Sequence, residues 1–338
     1  MTMDEPRYEG ILCIGDPHLT SRVPGFRRDD APRTFLRKLA WCLDRAREDR
    51  LLPVILGDLF DLPRDNANWL LGDLLALLAR REVLAIAGNH DCRENQLLDD
   101  DSLSVVHKAG RLRLLDRDGP WCGRIGPRFV ILGGTSWGRR LPEAFDPLDG
   151  AQGALSDQKA GAAAGAAGAP LVLWMTHHDI LIPGYEEGGR FRPREIPGID
   201  VVVNGHIHRH LEDVRAGRTL WITPGNIARI ARSDASQAHR PSVLRLDPEA
   251  EAEAEGFRRT AIEVPHEPYE VVFHPELAVE EAAAADSAFV RGLAELQTRR
   301  TQSGAGLLEF LEANLDRFED PVRKEIRALA MEVTEHGR

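Results

Sequence analysis

Cysteine is scarce in this 338-residue chain, and Cys13, Cys42, Cys92 and Cys122 lie scattered with no C-x-x-C pair among them. That pattern argues against disulfide bridges, a cysteine zinc site or redox chemistry and leaves reduced thiols as the expectation. No apolar run approaches the roughly 20 residues that span a bilayer, and the opening stretch "MTMDEPRYEG" has neither a basic nor an apolar leader region. The expected location is therefore the cytoplasm. There is no excess of positive charge: the net charge is −11, which argues against a surface uniformly attractive to nucleic acid. No internal repeat is visible.

What is present is an ordinary globular composition, 43% hydrophobic and 29% charged, able to bury a sizeable core. Short apolar runs that read as buried strands each end in polar or glycine-rich residues: "GILCIGDPH", "LLPVILGDLFD", "EVLAIAGNHD", "FVILGGTSW", "LVLWMTHHD", "VVVNGHIH" and "TLWITPGN". Segments with leucines every three or four residues, "FLRKLAWCLDRARE" and "NWLLGDLLALLARR", lie between the early runs, so the chain opens β-α-β-α-β. The later strands follow more closely and suggest a mixed or second sheet. Small-residue and acidic tracts, "GALSDQKAGAAAGAAGAP" and "DPEAEAEAEG", read as a surface loop or tethered helix and as a hairpin tip.

Beyond "VPHEPYEVVFHPE" the chain turns helical, with Leu308, Leu311, Leu315, Phe318, Val322, Ile326, Leu329 and Val333 forming one apolar face around a break at Asp320-Pro321. That face needs a partner surface, either the parent domain or another protein. The expected division is a catalytic domain over 1–254, a short β extension or cap remnant over 255–276, and a helical partner-binding or packing segment over 277–338.

Five strand ends deliver ligand-type residues: Asp16 and His18; Asp58; Asn89 and His90; His177 followed by His178; His206 and His208. A lone member of this set carries little information. Together on one sheet edge, carboxylates and imidazoles would repel or stay unsatisfied unless a cation sat among them, and a mixed oxygen and nitrogen donor set suits manganese, iron or zinc better than calcium. In an extended chain the alternation Gly205-His206-Ile207-His208 would point both imidazoles to one side, where they could serve two adjacent ions, with Asp58 as the natural bridge.

The ordered set D-x-H, G-D-x-x-D, G-N-H-D, H and G-H-x-H resembles the calcineurin-like metallophosphoesterases over about residues 9–226. The resemblance implies an α/β fold, a four-layer α/β/β/α sandwich, with a centre of two divalent ions at the strand ends: manganese first, iron or zinc otherwise. By position, Asp16, His18 and His208 would hold one ion, Asn89, His177 and His206 the other, and Asp58 both, with His178 the alternative to His177. His90 would protonate the leaving oxygen, Asp91 would orient it, and a metal-bound hydroxide would attack the phosphoester in line.

Metal chemistry does not select the phosphoester. The spellings "GDLFD", "GNHD" and "GHIH" followed by "TPGN" look like the SbcD-type nuclease subunits of double-strand-break-repair complexes, whose helical C-terminal segment grips an SMC-like ATPase. This implies a manganese-dependent DNA nuclease with such a partner, although the 255–276 stretch is short for that group's capping domain. Arg93, Arg209 and Arg229 are the candidates for phosphate contact among several arginine clusters. The alternatives are a phosphoesterase for nucleotides or cyclic nucleotides, whose tail would serve homodimerisation or packing, and a non-catalytic module.

Overall fold

The computed structural model describes residues 8–79, 81–93, 95–147, 169–185, 189–249 and 256–274. The chain divides into two units, Met1–Phe273 and His274–Arg338. Of the second only His274 is described, so the helical segment expected over 277–338 lies outside the described residues, as do most of the two low-complexity tracts.

The opening β-α-β-α-β runs as β1 (Gly10–Ile14), α1 (Ala31–Glu48), β2 (Leu51–Ile55), α2 (Asn68–Leu78) and β3 (Leu84–Ala85). Helix α1 shows why this segment is helical: the Asp30 side chain caps the Arg33 N–H, a proline occupies the first turn, and Arg45 and Arg47 lie in the last. Its Phe35, Leu39, Cys42, Leu43 and Ala46 share one buried face, as the three-and-four spacing requires. The remaining elements are α3 (Ser102–Lys108), β4 (Arg113–Leu114), β5 (Trp121–Ile125), β6 (Arg128–Thr135), β7 (Leu171–Thr176), β8 (Val201–Asn204), β9 (Leu211–Ala216), β10 (Thr219–Thr223), α4 (Asp234–Ala238), β11 (Ser242–Pro248), β12 (Phe257–Glu263) and α5 (Tyr269–Val272).

Two six-stranded mixed sheets result, ordered β12-β11-β1-β2-β3-β4 and β5-β6-β7-β8-β10-β9. In the first, β1 to β4 are parallel and β11 and β12 antiparallel; in the second, β6, β7, β8 and β10 are parallel and β5 and β9 antiparallel. One core, including Leu39, Leu74 and Ile55, fills the space between the helices and the first sheet. A second, including Val54, Leu132, Met175 and Val203, lies between the sheets. β1, β2, β7 and β8 are buried along their whole length, which is why their sequences are apolar without alternation.

The outer face of the second sheet is covered, among the described residues, by loop side chains such as Phe145, Ile180, Ile196 and Ile207 rather than by a long helix. The 255–276 stretch supplies an edge strand: β12 pairs with β11 over its full length, and Phe273 returns to bridge Arg27. All four cysteines are free; burial pushes the Cys13 and Cys42 thiols up to about 12, which keeps them protonated and inert. Among the described residues no helix is long and apolar enough to cross a membrane.

Candidate metal centre

The loops after β1, β2, β3, β7 and β8 leave the carboxyl ends of parallel strands, the edge where open α/β sheets place ligands. Tight turns at these exits need unusual backbone: Asp16, His18, Asp58 and His206 all have positive φ. The loops are then knitted together, since the His18 and Leu19 N–H groups donate to the Asp58 and Leu59 carbonyls at 2.9 and 2.8 Å. Gly57, at φ 98, admits the His177 ring where a Cβ would collide with Nδ1.

Asp58 sits between two sets of imidazoles. Its Oδ1 accepts the His90 N–H at 2.7 Å, and its Oδ2 lies 3.5 Å from His18 Nε2 and 3.3 Å from His177 Nε2. On one side, His18 Nε2 faces His208 Nε2 at 3.0 Å, and Asp16 is buried close by. On the other, Asn89 Oδ1 is approached by His177 Nε2 at 3.1 Å and His206 Nδ1 at 2.9 Å. Three groups have ligand-type atoms within 4.8 Å of one another: His18, Asp58 and His90; Asp58, His177 and His206; Asp16, Asp58 and His208.

The donor chemistry fits cations. His177 Nδ1 already meets the Leu56 carbonyl at 2.7 Å, and His206 Nε2 meets Asp179 Oδ1 at 2.6 Å. A neutral imidazole donates from one nitrogen only, so in the neutral form both rings would aim a lone pair at the Asn89 and Asp58 oxygens. Acceptors facing acceptors need a positive charge between them, a bound cation or, without one, a proton on the ring. On the other side, Asp16 Oδ2 is buried without a hydrogen-bond partner, while His18, with Asp61 Oδ1 3.5 Å from its Nδ1, turns Nε2 toward Asp58 and His208.

The protein's own charges adjust in the direction this predicts. Burial pushes Asp16 up to about 7, only partly offset by His177. Burial also raises Asp58, but the charge and hydrogen bond of His177, then His18, outweigh it and hold that carboxyl well below its ordinary value. His177 responds in kind: burial lowers it, yet Asp58 and Asp16 bring it up to about 9, so an imidazolium answers the carboxylates around it.

Asp91 differs from the expectation. Its carboxylate accepts the backbone N–H groups of Leu59, Phe60 and Gly88 at 3.2, 3.0 and 2.9 Å and does not orient His90. It fixes the loops after β2 and β3, and burial, then Asp58, pushes it up to about 7. The His90 ring is held instead by Asp61, whose carbonyl takes Nδ1 at 2.8 Å. His178 is turned away: its Nε2 meets the Arg139 carbonyl at 2.8 Å and its ring packs on Phe191.

His206 and His208 do not lie along an extended strand as expected: β8 ends at Asn204 and His206 has φ 72, so a turn carries His206 to Asn89 and His208 to His18. Of the arginines, Arg229 is engaged by the His239 and Glu267 carbonyls at 3.1 and 2.8 Å. Arg209 reaches the Gly184 carbonyl, and Arg93 is exposed with its backbone paired to Gln96.

Sequence reasoning missed four contributors. Asp61 and Asp179 hold His90 and His206, Trp137 packs its ring 5.2 Å from that of His206, and Asn204 ties the ends of β7 and β8 through Thr176, His178 and Gly205. The polar residues closing "GDLFD", "THHD" and "VVVN" and the tryptophan in "GTSWG" were the available signals.

The calcineurin-like phosphoesterase model matches residues 10–210, more than half of the chain. The protein belongs to the calcineurin-like phosphoesterase family, whose members are hydrolases that use divalent metals. No curated protein sequence matches it. Among solved structures, TT1561 of Thermus thermophilus is similar at 13% identity and TM-score 0.40, over 75% of this chain and 99% of that one. A predicted phosphoesterase of Streptococcus pneumoniae is similar at 12% identity and TM-score 0.29, over 75% and 98%. Vps29 of Chaetomium thermophilum is similar at 14% identity and TM-score 0.30, over 76% and 99%.

Proposed function

We propose that this protein is a phosphodiesterase with two divalent ions, manganese first, acting as an SbcD-like DNA nuclease with an SMC-like ATPase partner engaged by residues 277–338. The observation that carries the reading is the placing of Asp58 between the His18 and His177 imidazoles, with Asp16, Asn89, His206 and His208 closing the two flanks. Asp16, His18 and His208 would hold one ion, Asn89, His177 and His206 the other, and Asp58 both. When bound, such a pair lowers the pKa of an attacking water and neutralises charge on the attacking and departing oxygens.

The chain's own residues do the rest. His90 directs Nδ1 at the Asp61 carbonyl, which turns Nε2 toward the substrate side; in the doubly protonated imidazolium form Nε2 can give its proton to the departing oxygen and the ring is left neutral, with its proton on Nδ1. Its side chain is 34% exposed, the accessibility a group meeting substrate needs. Asp91 and the Leu59, Phe60 and Gly88 amides keep the loop carrying Asn89 and His90 in place. The choice of DNA over a nucleotide rests on the spelling of the motifs, and the choice of partner on the apolar face of the tail.

The test is hydrolysis of end-labelled single- and double-stranded DNA with manganese, beside a bis-phosphodiester chromogen, with Asp58→Ala as the blank. The expected result is DNA cleavage that disappears in the blank. Chromogen turnover with no DNA cleavage, alone or with an added SMC-like ATPase, would overturn the nuclease reading in favour of a small-molecule phosphoesterase.

A further inference from the structure

His206 is the most constrained side chain of the centre, and its constraints come from different parts of the chain. Its backbone is in the left-handed region at φ 72, its N–H donates to Asp16 Oδ1 at 3.0 Å, and Trp137 lies against its ring at 5.2 Å and 31°. These contacts place the ring but do not choose which nitrogen carries the proton. Two others bear on it, Asn89 Oδ1 at 2.9 Å from Nδ1 and Asp179 Oδ1 at 2.6 Å from Nε2, and the shorter bond, to a carboxylate, takes the proton. Asp179 is itself 8% exposed, and its carbonyl accepts the Arg190 and Phe191 N–H groups at 2.8 and 3.0 Å, so it is anchored before it reaches His206.

We infer that Asp179 is the positioning residue of the second half-site: it fixes the proton of His206 on Nε2 and so presents the Nδ1 lone pair to the ion shared with Asn89, His177 and Asp58. The inference rests on the proposed metal-holding role of these residues and not on the choice of substrate. Carboxylates behind ligating imidazoles fix ring orientation and raise donor strength, and their removal costs about 10–100-fold in metal affinity. His177 has a backbone carbonyl in the equivalent place, that of Leu56, which no side-chain substitution removes. Of the two hydrogen-bonded supports behind these imidazoles, Asp179 is the one that a side-chain substitution removes.

A competing explanation is electrostatic. Arg190 Nε lies 3.4 Å from Asp179 Oδ2, so removing the carboxylate would also unmask a positive charge near the ion. The two explanations separate in a double variant.

The experiment titrates the full-length, metal-free protein with Mn2+ alone by calorimetry, with circular dichroism to confirm the fold of each variant. Wild type is expected to take up two ions. In Asp179→Ala the affinity for one of them falls by about 10–100-fold while the other is retained. Asp179→Asn, which keeps an acceptor oxygen, stays within about tenfold of wild type. Asp179→Ala combined with Arg190→Ala remains as weak as Asp179→Ala. Wild-type affinity in Asp179→Ala, or recovery in the double variant, overturns the positioning role while leaving the metal centre standing. Failure of the wild-type protein to bind Mn2+ overturns the metal-holding reading and this inference with it. Should the alanine variant not fold, Asp179→Ser, too short to reach Nε2, carries the same expectation.

Discussion

The two sheets contribute opposite chemistry to the site. The first brings carboxylates and an amide, Asp16, Asp58 and Asn89, with His18 and His90 beside them; the second brings imidazoles alone, His177, His206 and His208. The first-sheet loops are tied to one another through their main chain: the buried Asp91 carboxylate gathers amides from two of them, and the Asp58 loop is bonded backbone to backbone to the His18 loop. The second-sheet residues are placed largely by side-chain partners, Asp179 and Trp137 for His206, and Asn204 for the turn it precedes. The anionic floor thus rests on main chain gathered by one buried carboxylate, whereas in the imidazole wall His206 leans on the Asp179 and Trp137 side chains and His177 on the Leu56 carbonyl.

The comparison breaks most visibly at the seam between the sheets. A Cβ on Gly15, just after β1, would lie well inside van der Waals contact with the Gly225 carbonyl, which belongs to the turn after β10. Because backbone and not a flexible side chain is in the way, Gly15→Ala should cost more than about 3 kcal/mol and lower the melting temperature by many degrees. Thermal denaturation followed by circular dichroism measures it, and a melt close to wild type would show that the seam is slack.

Next in size is His90, which stands on the first-sheet side with its backbone N–H on Asp58 Oδ1. His90→Ala should slow chromogen hydrolysis by about 10²–10⁴-fold with metal content unchanged. Metal analysis of the purified variant decides the point; a missing ion would make His90 a ligand and enlarge the first-sheet share of the donor set.

The balance between floor and wall also predicts a pH dependence. In the metal-free protein His177 is brought up to about 9 by Asp58 and Asp16, and burial brings Asp16 up to about 7. Both groups bind protons more tightly folded than unfolded, so metal-free stability falls as pH rises through that window. Both must lose those protons to take a metal, so Mn2+ affinity should rise across the same window, by up to about tenfold per pH unit for each proton released. Titrations at about pH 6, 7.5 and 9 test this; a flat profile would mean that the wall is neutral before the ion arrives.

The smallest effect lies outside both halves of the site. Arg229 bonds two backbone carbonyls and touches none of the ligand-type residues. Arg229→Ala should cost about 1–2 kcal/mol of stability and leave kcat/KM for the chromogen unchanged. A raised KM at full stability would return it to the substrate side.

Much of this was legible in the linear chain. Fully buried strands read as unbroken apolar runs, and the turns that end them must expose polar residues, so "GDPH", "GDLFD", "GNHD", "THHD" and "GHIH" announced both the strand ends and their chemistry. Helix α1 was visible from its spacing. The misjudged residues depended on contacts remote in sequence. Asp91 is adjacent to His90 in the chain, yet its carboxylate is bonded to Leu59 and Phe60, 32 and 31 residues away. Arg229 follows "TPGN" closely, but what engages it is a carbonyl 38 residues on.

The sequence by itself determined the succession of strands and helices in the opening half, the donor types, and the order in which they arrive, because each is a property of local hydrophobicity and residue chemistry. Tertiary structure alone decided which nitrogen of each imidazole faces inward, which carboxylate stands between the two sets, and which polar neighbours support them. Those choices turn on distances of about 3 Å between residues far apart in the chain, and a hydrogen bond is made or lost over a fraction of that length.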